Sequence, residues 1–222
     1  MFAILQSSPI FKGLNSNEIN SLLNSVLYQI RHFSKNEVIA YSGDRVEKAI
    51  ILLEGKLQGI MADYAGNSIK IEELNPPQMV APAFLYGPEC FFPVNLSALS
   101  DGIILVLYKQ EFTNLLAKDL RILNNYLNIV SGKAQFLSGK ITFLSYKTIR
   151  EKIAYFLLNK MEVDSLIISM NQSQKKLAEI FGVARPSFAR TISEMEKSGI
   201  IRWEKNKVTI TDLKSLKTML IK

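Results

Sequence analysis

The twenty residues from Gln172 to Thr191 constrain the fold more than any other part of the chain, because they read as two short helices joined by a tight turn. Their sequence is QSQKKLAEIFGVARPSFART. Leu177, Ala178 and Phe181 share one face at helical spacing. Gly182 follows where the chain must leave the helix, and a residue without Cβ adopts a positive φ there at little cost. The pattern predicts a helix-turn-helix.

The second helix of this pair is predicted to begin at Arg185-Pro186, because proline in a first turn breaks no intrahelical hydrogen bond. Arg185, Ser187 and Arg190 then face outward near the N-terminal end, which is the end that a recognition helix presents to the major groove. The apolar side of this helix consists of Phe188, Ile192 and Met195. The segment therefore indicates an element that reads DNA, with an ordinary helical hairpin as the alternative.

The residues on either side of the second helix add further candidate DNA contacts. Ser173 is placed to cap the preceding helix, whose free N–H groups favour anions. The candidate phosphate contacts at its start are Gln174, Lys175 and Lys176. Downstream, Ile200–Trp203 and Lys207–Ile210 flank a polar turn and predict a β-hairpin wing, in which Lys205 and Lys207 are candidates for phosphate contact.

The charge of the chain is concentrated at its C-terminal end. Residues 145–222 carry 15 Lys and Arg against 8 Asp and Glu, whereas residues 1–144 carry 12 of each. A basic unit attracts a polyanion such as double-stranded DNA. The same charge would suit a protein partner or an anionic membrane surface, but no basic amphipathic helix stands out to favour a membrane.

The scarcity of cysteine and histidine excludes several kinds of site. The chain has one cysteine, Cys90, and one histidine, His32, so a single chain lacks the ligands for a cysteine-bound iron–sulfur cluster or a zinc finger. A Ser/His/Asp constellation is not credible with one histidine, and no phosphate-binding glycine loop occurs. We therefore do not expect an enzyme.

The sequence shows no targeting segment. Its start lacks a charged region followed by a long apolar stretch, and apolar runs such as Ile103–Leu107 are too short to span a bilayer. We expect a soluble cytoplasmic protein without membrane association.

The N-terminal two-thirds of the chain alternate short β-type runs with glycine turns, after a helix predicted over Asn17–Leu27. Such spacing is typical of an antiparallel barrel or roll. The predicted strands are Val38–Tyr41, Ala49–Leu53, Lys56–Ala62, Ser68–Glu73 and Gly102–Tyr108. Together with the helical C-terminal part, this predicts an α+β fold.

Between these two regions, apolar residues recur in an unbroken heptad register, with a spacing of 4-3-4-3-4-3. Such a stripe favours a partner helix and predicts a homodimer, unless the stripe packs only on its own β-roll. Gly132 and Gly139 fall outside it. The stripe consists of Leu123, Leu127, Val130, Ala134, Leu137, Ile141 and Leu144.

Four segments, in this order, resemble the CRP/FNR family of bacterial transcription regulators. They are PIFKGLNSNEINSLL (residues 9–23), KNEVIAYSGD (35–44), IILLEGKLQGI (50–60) and GVARPSFAR (182–190). The resemblance implies an effector-sensing, jelly-roll-like β-roll over 1–118, a dimerisation helix over 119–146 and a winged helix-turn-helix over 147–222. It also implies a homodimer on an inverted-repeat operator, with RNA polymerase as a further expected partner.

By this resemblance, Arg185 and Arg190 take the base-contacting places, and Ser187 lies on a phosphate or a base edge. Pro186 departs from the family's common Glu, which accepts a hydrogen bond from cytosine. The family's usual TGTGA or TTGAT half-site is therefore in doubt at one base pair.

The effector site departs from the pattern of the members that bind cyclic AMP. Those carry Gly-Glu-Leu and then Arg-Ser-Ala, whose Glu binds the ribose and whose Arg pairs with the cyclic phosphate. Here Pro82 stands in place of the Glu, and Pro93 or a neighbour in place of the Arg. Burial of a phosphate without a cationic partner is costly, so we do not expect cyclic AMP to bind. A cyclic-nucleotide-dependent activator with an atypical pocket is the alternative.

The same segment is strongly apolar, which favours a hydrophobic effector, or no ligand if the segment is simply core. Haem is one candidate, because the segment loosely resembles that of the family's regulators of nitrosative stress and denitrification. Its axial ligand would be His32, Met61 or Met79, although a lone histidine before a strand is more often a surface residue. The candidate pocket residues are Pro82, Phe84, Leu85, Tyr86, Phe91 and Phe92.

Overall fold

The computed structural model describes residues 2–62, 68–163 and 165–221. It divides into two compact units, Met1–Ala134 and Gln135–Lys222. The boundary falls inside a long helix that belongs in part to each unit.

The first unit opens with α1 (Phe2–Ser7), a short 3-10 helix (Pro9–Phe11) and α2 (Ser16–Leu23). Asn15 and Glu18 form a capping box at the start of α2. The predicted helix over Asn17–Leu27 is thus four residues too long, because Asn24 caps it and the chain turns into the first strand.

The body of the first unit is a roll of two four-stranded antiparallel sheets, with the core between them. The strands are β1 (Tyr28–Phe33), β2 (Val38–Ala40), β3 (Lys48–Glu54), β4 (Leu57–Ala62), β5 (Ser68–Leu74), β6 (Gln78–Val80), β7 (Asn95–Ala98) and β8 (Gly102–Tyr108). One sheet has the order β1-β8-β3-β6 and the other β2-β7-β4-β5. Helix α3 (Lys109–Lys118) packs on β3 and β8, so β3 is buried on both faces.

The long helix α4 (Leu120–Ser145) has 26 residues and continues through Gly132 and Gly139. Arg121 anchors its first turn, since its guanidinium pairs with Asp119 at 2.7 Å and with Glu18 at 2.9 Å. Hydrogen bonding to this guanidinium is the largest cause that lowers the pKa of the Asp119 carboxyl. One turn later, the buried Tyr126 donates its hydroxyl to the Pro82 carbonyl at 2.8 Å.

The second unit contains the C-terminal end of α4 and a small helical core closed by a three-stranded sheet of order β10-β11-β9. Its further elements are α5 (Ile149–Lys160), β9 (Ile167–Ser169), α6 (Gln174–Phe181), α7 (Arg185–Lys197), β10 (Ile201–Glu204), β11 (Lys207–Ile210) and α8 (Leu213–Thr218). The predicted α+β class, with a β-roll, a long helix and a winged helix-turn-helix, is confirmed. Among the helices of the described segments, none has the length and apolar composition that a bilayer span requires.

Replacement of Gly182 by alanine is expected to destabilise the second unit by about 1 kcal/mol, because φ is +65° there and a Cβ disfavours the left-handed region. An added Cβ meets no atom within 4 Å, so the substitution tests only the backbone strain at this positive φ. Urea unfolding followed by the fluorescence of Trp203, the only tryptophan, measures the change. Gly139→Ala is the matched control and should stabilise, since Gly139 lies inside α4. A neutral effect of Gly182→Ala would contradict the account of this turn.

Replacement of Tyr126 by phenylalanine is expected to cost about 1–3 kcal/mol, because it leaves the Pro82 carbonyl without its donor. Burial is the main cause that raises the pKa of Tyr126 to about 12, so its hydroxyl remains protonated near neutral pH. Tyr86→Phe is the control and should cost less, since Thr113 keeps a second hydrogen bond to the Lys109 carbonyl. Denaturant unfolding followed by circular dichroism compares the two variants, and equal stabilities would contradict the role of Tyr126.

Candidate nucleic-acid interface

The first helix of the pair, α6, is fixed at both ends by local hydrogen bonds. The Ser173 hydroxyl accepts from the backbone N–H of Lys176 at 3.2 Å, which satisfies one free donor at the N-terminus. Gly182 ends the helix in the left-handed region, and its N–H donates to the carbonyls of Ala178 and Glu179. Lys175 and Lys176 are exposed at the start of α6, and Gln174 is half-buried.

The orientation of α7 follows from its buried face. Phe188, Ile192 and Met195 are buried in the core of the second unit. Phe188 lies edge-to-face between two aromatic rings, with centroids 5.1 Å from Phe181 and 6.2 Å from Trp203. Such aromatic pairs add to the apolar burial of the rings. With this face fixed, the opposite face of α7 is exposed.

The predicted DNA-contacting residues of α7 lie in its N-terminal half, and Pro186, Ser187 and Arg190 lie on this exposed face. Arg185, Pro186, Ser187 and Arg190 are all exposed, and Pro186 lies in the first turn. Arg185 has no ion-pair partner among the described residues. All four residues are therefore accessible to solvent in the N-terminal half of α7.

Arg190 is held by a neighbour that the sequence analysis missed. Its Nε donates to Glu194 Oε1 at 2.9 Å, one helical turn further along α7. An i,i+4 spacing of opposite charges was the signal that could have identified Glu194. Because this contact uses Nε, both Nη groups keep the fork geometry that matches the O6 and N7 acceptors of guanine.

The wing beside α7 is a two-stranded hairpin in which Glu204 of β10 pairs with Lys207 of β11. Lys205 takes a positive φ of 37° at the turn, and Lys205 and Lys207 are exposed. Arg202 is also exposed on β10 and is a further cation that the prediction omitted. Trp203 is half-buried and packs against the core.

The apolar segment that follows β6 encloses a cavity of only about 60 Å³, which we call the inner cavity. Pro82, Phe84 and Phe92, three of the six candidate pocket residues, line it. Lys133 of α4 and Glu72 of β5 also line it, and they form an ion pair at 3.8 Å. The local sequence gave no signal for these two, because β5 and α4 meet here only through the tertiary fold.

The other three predicted pocket residues do not line this cavity. Leu85 is buried in the core, and the hydroxyl of Tyr86 hydrogen-bonds to Thr113 at 2.7 Å. Phe91 is exposed and lies beside Arg45, whose guanidinium carbon is 6.0 Å from the ring centroid. The prediction of one six-residue pocket is therefore wrong, because these side chains point in different directions.

The proposed haem ligands are scattered. His32 lies within β1, not before a strand, and its side chain is exposed and lines none of the cavities found in the described residues. Met61 is exposed on β4, and Met79 is buried in the core. An inner cavity of about 60 Å³ is also far below the roughly 300 Å³ at which ligand pockets begin, so these residues do not fit a haem.

The apolar stripe of α4 divides into a covered part and an open part. Leu123 and Val130 pack against the core of the first unit. The other members are exposed, with exposed fractions of 51% for Leu127, 56% for Leu137, 69% for Ile141 and 62% for Leu144, and Ala134 is exposed as well. Several large side chains of the stripe therefore remain uncovered in a single chain.

Family models match both parts of the chain. Residues 30–119 match the cyclic nucleotide-binding domain, and residues 151–219 match the Crp-like helix-turn-helix domain. A search of curated protein sequences returned no match.

Solved structures agree with this assignment. A transcriptional regulator of Thermotoga maritima is 33% identical, with a TM-score of 0.54, over 58% of this chain and 98% of that one. The catabolite activator protein of Thermus thermophilus has the same fold at 19% identity, with a TM-score of 0.56, over 96% and 98% of the two chains. CprK complexed with OCPA shares it at 18% identity, with a TM-score of 0.54, over 91% and 93%. With a β-roll of the cyclic-nucleotide-binding type and a DNA-binding helix-turn-helix of the Crp type in one polypeptide, the chain belongs to the CRP/FNR family of transcription regulators.

Proposed function

We propose that this regulator binds an inverted-repeat operator as a homodimer in the cytoplasm and that its effector is not a cyclic nucleotide. The observation that carries the effector assignment is the inner cavity of about 60 Å³, walled by Pro82 where cyclic AMP-binding members have a Glu. Pockets that bind small molecules such as a cyclic nucleotide measure roughly 300–1,000 Å³.

The charge inside the cavity supports the same assignment. Its one cation, Lys133, already pairs with Glu72 at 3.8 Å. A cyclic phosphate would have to displace that carboxylate or lie beside it, and two like charges side by side repel each other. The apolar walls of the cavity favour an apolar effector. Movement of Phe84 or Phe92 would admit such a molecule.

Sequence reading is assigned to Arg185 and Arg190, with Ser187 on a phosphate or a base edge. Both guanidinium groups are exposed near the N-terminal half of α7, and Arg forks bind guanine O6 and N7. Phosphate contacts are assigned to residues of α6 and the wing, which fix the register without reading sequence. These are Ser173, Gln174, Lys175, Lys176 and Lys207.

Dimerisation is assigned to the stripe of α4. The open part of this stripe, from Leu127 to Leu144, would be covered by the same helix of a second copy. A twofold axis along paired helices presents two recognition helices, and their half-sites should lie about one helical turn apart. As a regulator of transcription, the dimer would act together with RNA polymerase.

Replacement of Arg190 by alanine is expected to cost roughly 1–3 kcal/mol on the operator and to relax specificity at one base pair, because a bidentate guanine contact is lost. The operator is obtained by selection from a random duplex pool, and fluorescence anisotropy then measures affinity for the selected duplex and for every substitution in it.

Lys175→Ala is the matched control, because it removes a cation that contacts no base. It should weaken binding to specific and random duplexes alike and lower the salt dependence by about one charge. Equal losses on specific and random DNA for Arg190→Ala would contradict the assignment of Arg190.

Titration calorimetry with cyclic AMP and cyclic GMP is expected to show no saturable heat, because the inner cavity lacks both space and a free cation. A cyclic-nucleotide-dependent activator would show one site per chain, and Lys133→Gln would abolish that heat by removing the only cation lining the cavity. Saturable binding of either nucleotide would overturn the proposed effector class, and its loss in Lys133→Gln would place it in the inner cavity; neither result would affect the assignment of DNA binding.

A further inference from the structure

A cavity with a volume of about 650 Å³ lies within the second unit. We call it the aromatic groove. The C-terminal end of α4, α5 and the end of α6 form its walls. Phe136 is 68% exposed and Ile180 is 49% exposed, so part of its apolar lining faces solvent. Its aromatic walls are Phe136, Phe143, Tyr155, Phe156 and Phe181.

The innermost wall of the groove continues into the core beneath the recognition helix. The ring of Phe181 lies edge-to-face with Phe143 at 4.9 Å and with Phe156 at 5.5 Å. The same ring contacts Phe188 of α7 at 5.1 Å. A molecule in the groove would therefore contact Phe181, whose ring packs directly against Phe188 of α7.

Two lysines give the groove its charge. Lys140 Nζ lies 6.0 Å from the ring centroid of Phe136, and Lys160 Nζ lies 5.4 Å from that of Phe156. Neither ammonium has an ion-pair partner within the described ranges. The one carboxylate in the lining, Glu179, already pairs with Lys176 at 3.2 Å. The uncompensated charge at the rim is positive.

The groove does not coincide with the proposed dimer surface. Gly139 lines the groove and lies midway between Leu137 and Ile141 of the stripe. Two residues along a helix correspond to a rotation of about 200°, so Gly139 lies on the opposite side of α4 from the stripe. Pairing of two chains through the stripe would leave the groove open to a small molecule.

We infer that the aromatic groove binds a small aromatic anion, with its ring system against Phe143, Phe156 and Phe181 and its carboxylate beside Lys140 and Lys160. The volume lies in the range of small-molecule pockets, and aromatic walls with a few convergent polar groups are typical of such sites. A carboxylate complements the two free ammonium groups.

The test uses the full-length protein and 2-naphthoate as the probe, with 2-naphthylmethanol as its uncharged counterpart. Calorimetry should give one naphthoate site per chain. Gly139→Leu should weaken naphthoate binding about tenfold or more, because its side chain fills the groove. Gly132→Leu is the matched control on the same helix, outside the groove, and should leave the affinity unchanged.

The charge is tested separately with the double variant Lys140→Gln, Lys160→Gln. It should weaken naphthoate binding about threefold or more and leave the binding of the alcohol unchanged. Absence of saturable naphthoate binding, or equal loss with Gly139→Leu and Gly132→Leu, would overturn the inference. Conversion of dimer to monomer by naphthoate in sedimentation would overturn it too, since the groove would then hold a second copy. None of these outcomes depends on whether the protein reads DNA.

Discussion

The burial of Phe188 is the contact on which the DNA-binding surface depends. This ring lies between Phe181 and Trp203, and with Ile192 and Met195 it fixes the face of α7 that turns inward. Every third or fourth residue of a helix shares a face, so the burial of this row turns Arg190 toward solvent, whereas Arg185 is exposed in the first turn of α7. The orientation of the proposed DNA-reading surface is thus set largely by the apolar packing behind it.

The β-roll is stabilised by its own apolar core. Strands β3 and β8 supply a core that needs no ligand, and Tyr126 ties α4 to the backbone at Pro82. Next to Pro82, Phe84 and Phe92 leave a cavity of about 60 Å³, and a lysine and a glutamate form an ion pair at its edge.

The helix-turn-helix and the stripe of α4 could be predicted because their signals are local, namely helical spacing, Gly182 and Pro186. Strands β1, β6, β7 and β9 were not predicted, because they acquire their role by pairing with strands distant in the sequence, as β1 does with β8. The residues that line the inner cavity were predicted only in part, for the same reason. Its apolar composition was visible, but Phe91 faces solvent and Lys133 arrives from α4. Likewise, Lys109 Nζ lies 3.9 Å from Cys90 Sγ, although nothing basic flanks Cys90 in the sequence.

The central claim is that Arg185 and Arg190 of each chain in a homodimer contact guanine edges, in two successive major grooves on the same side of the DNA. Methylation interference at guanine N7 on a selected operator tests it most directly, because a methyl group at N7 blocks the Arg fork. The account predicts interference at guanines related by a twofold axis, in two clusters about one helical turn apart. Interference in a single cluster, or at no guanine, would contradict it.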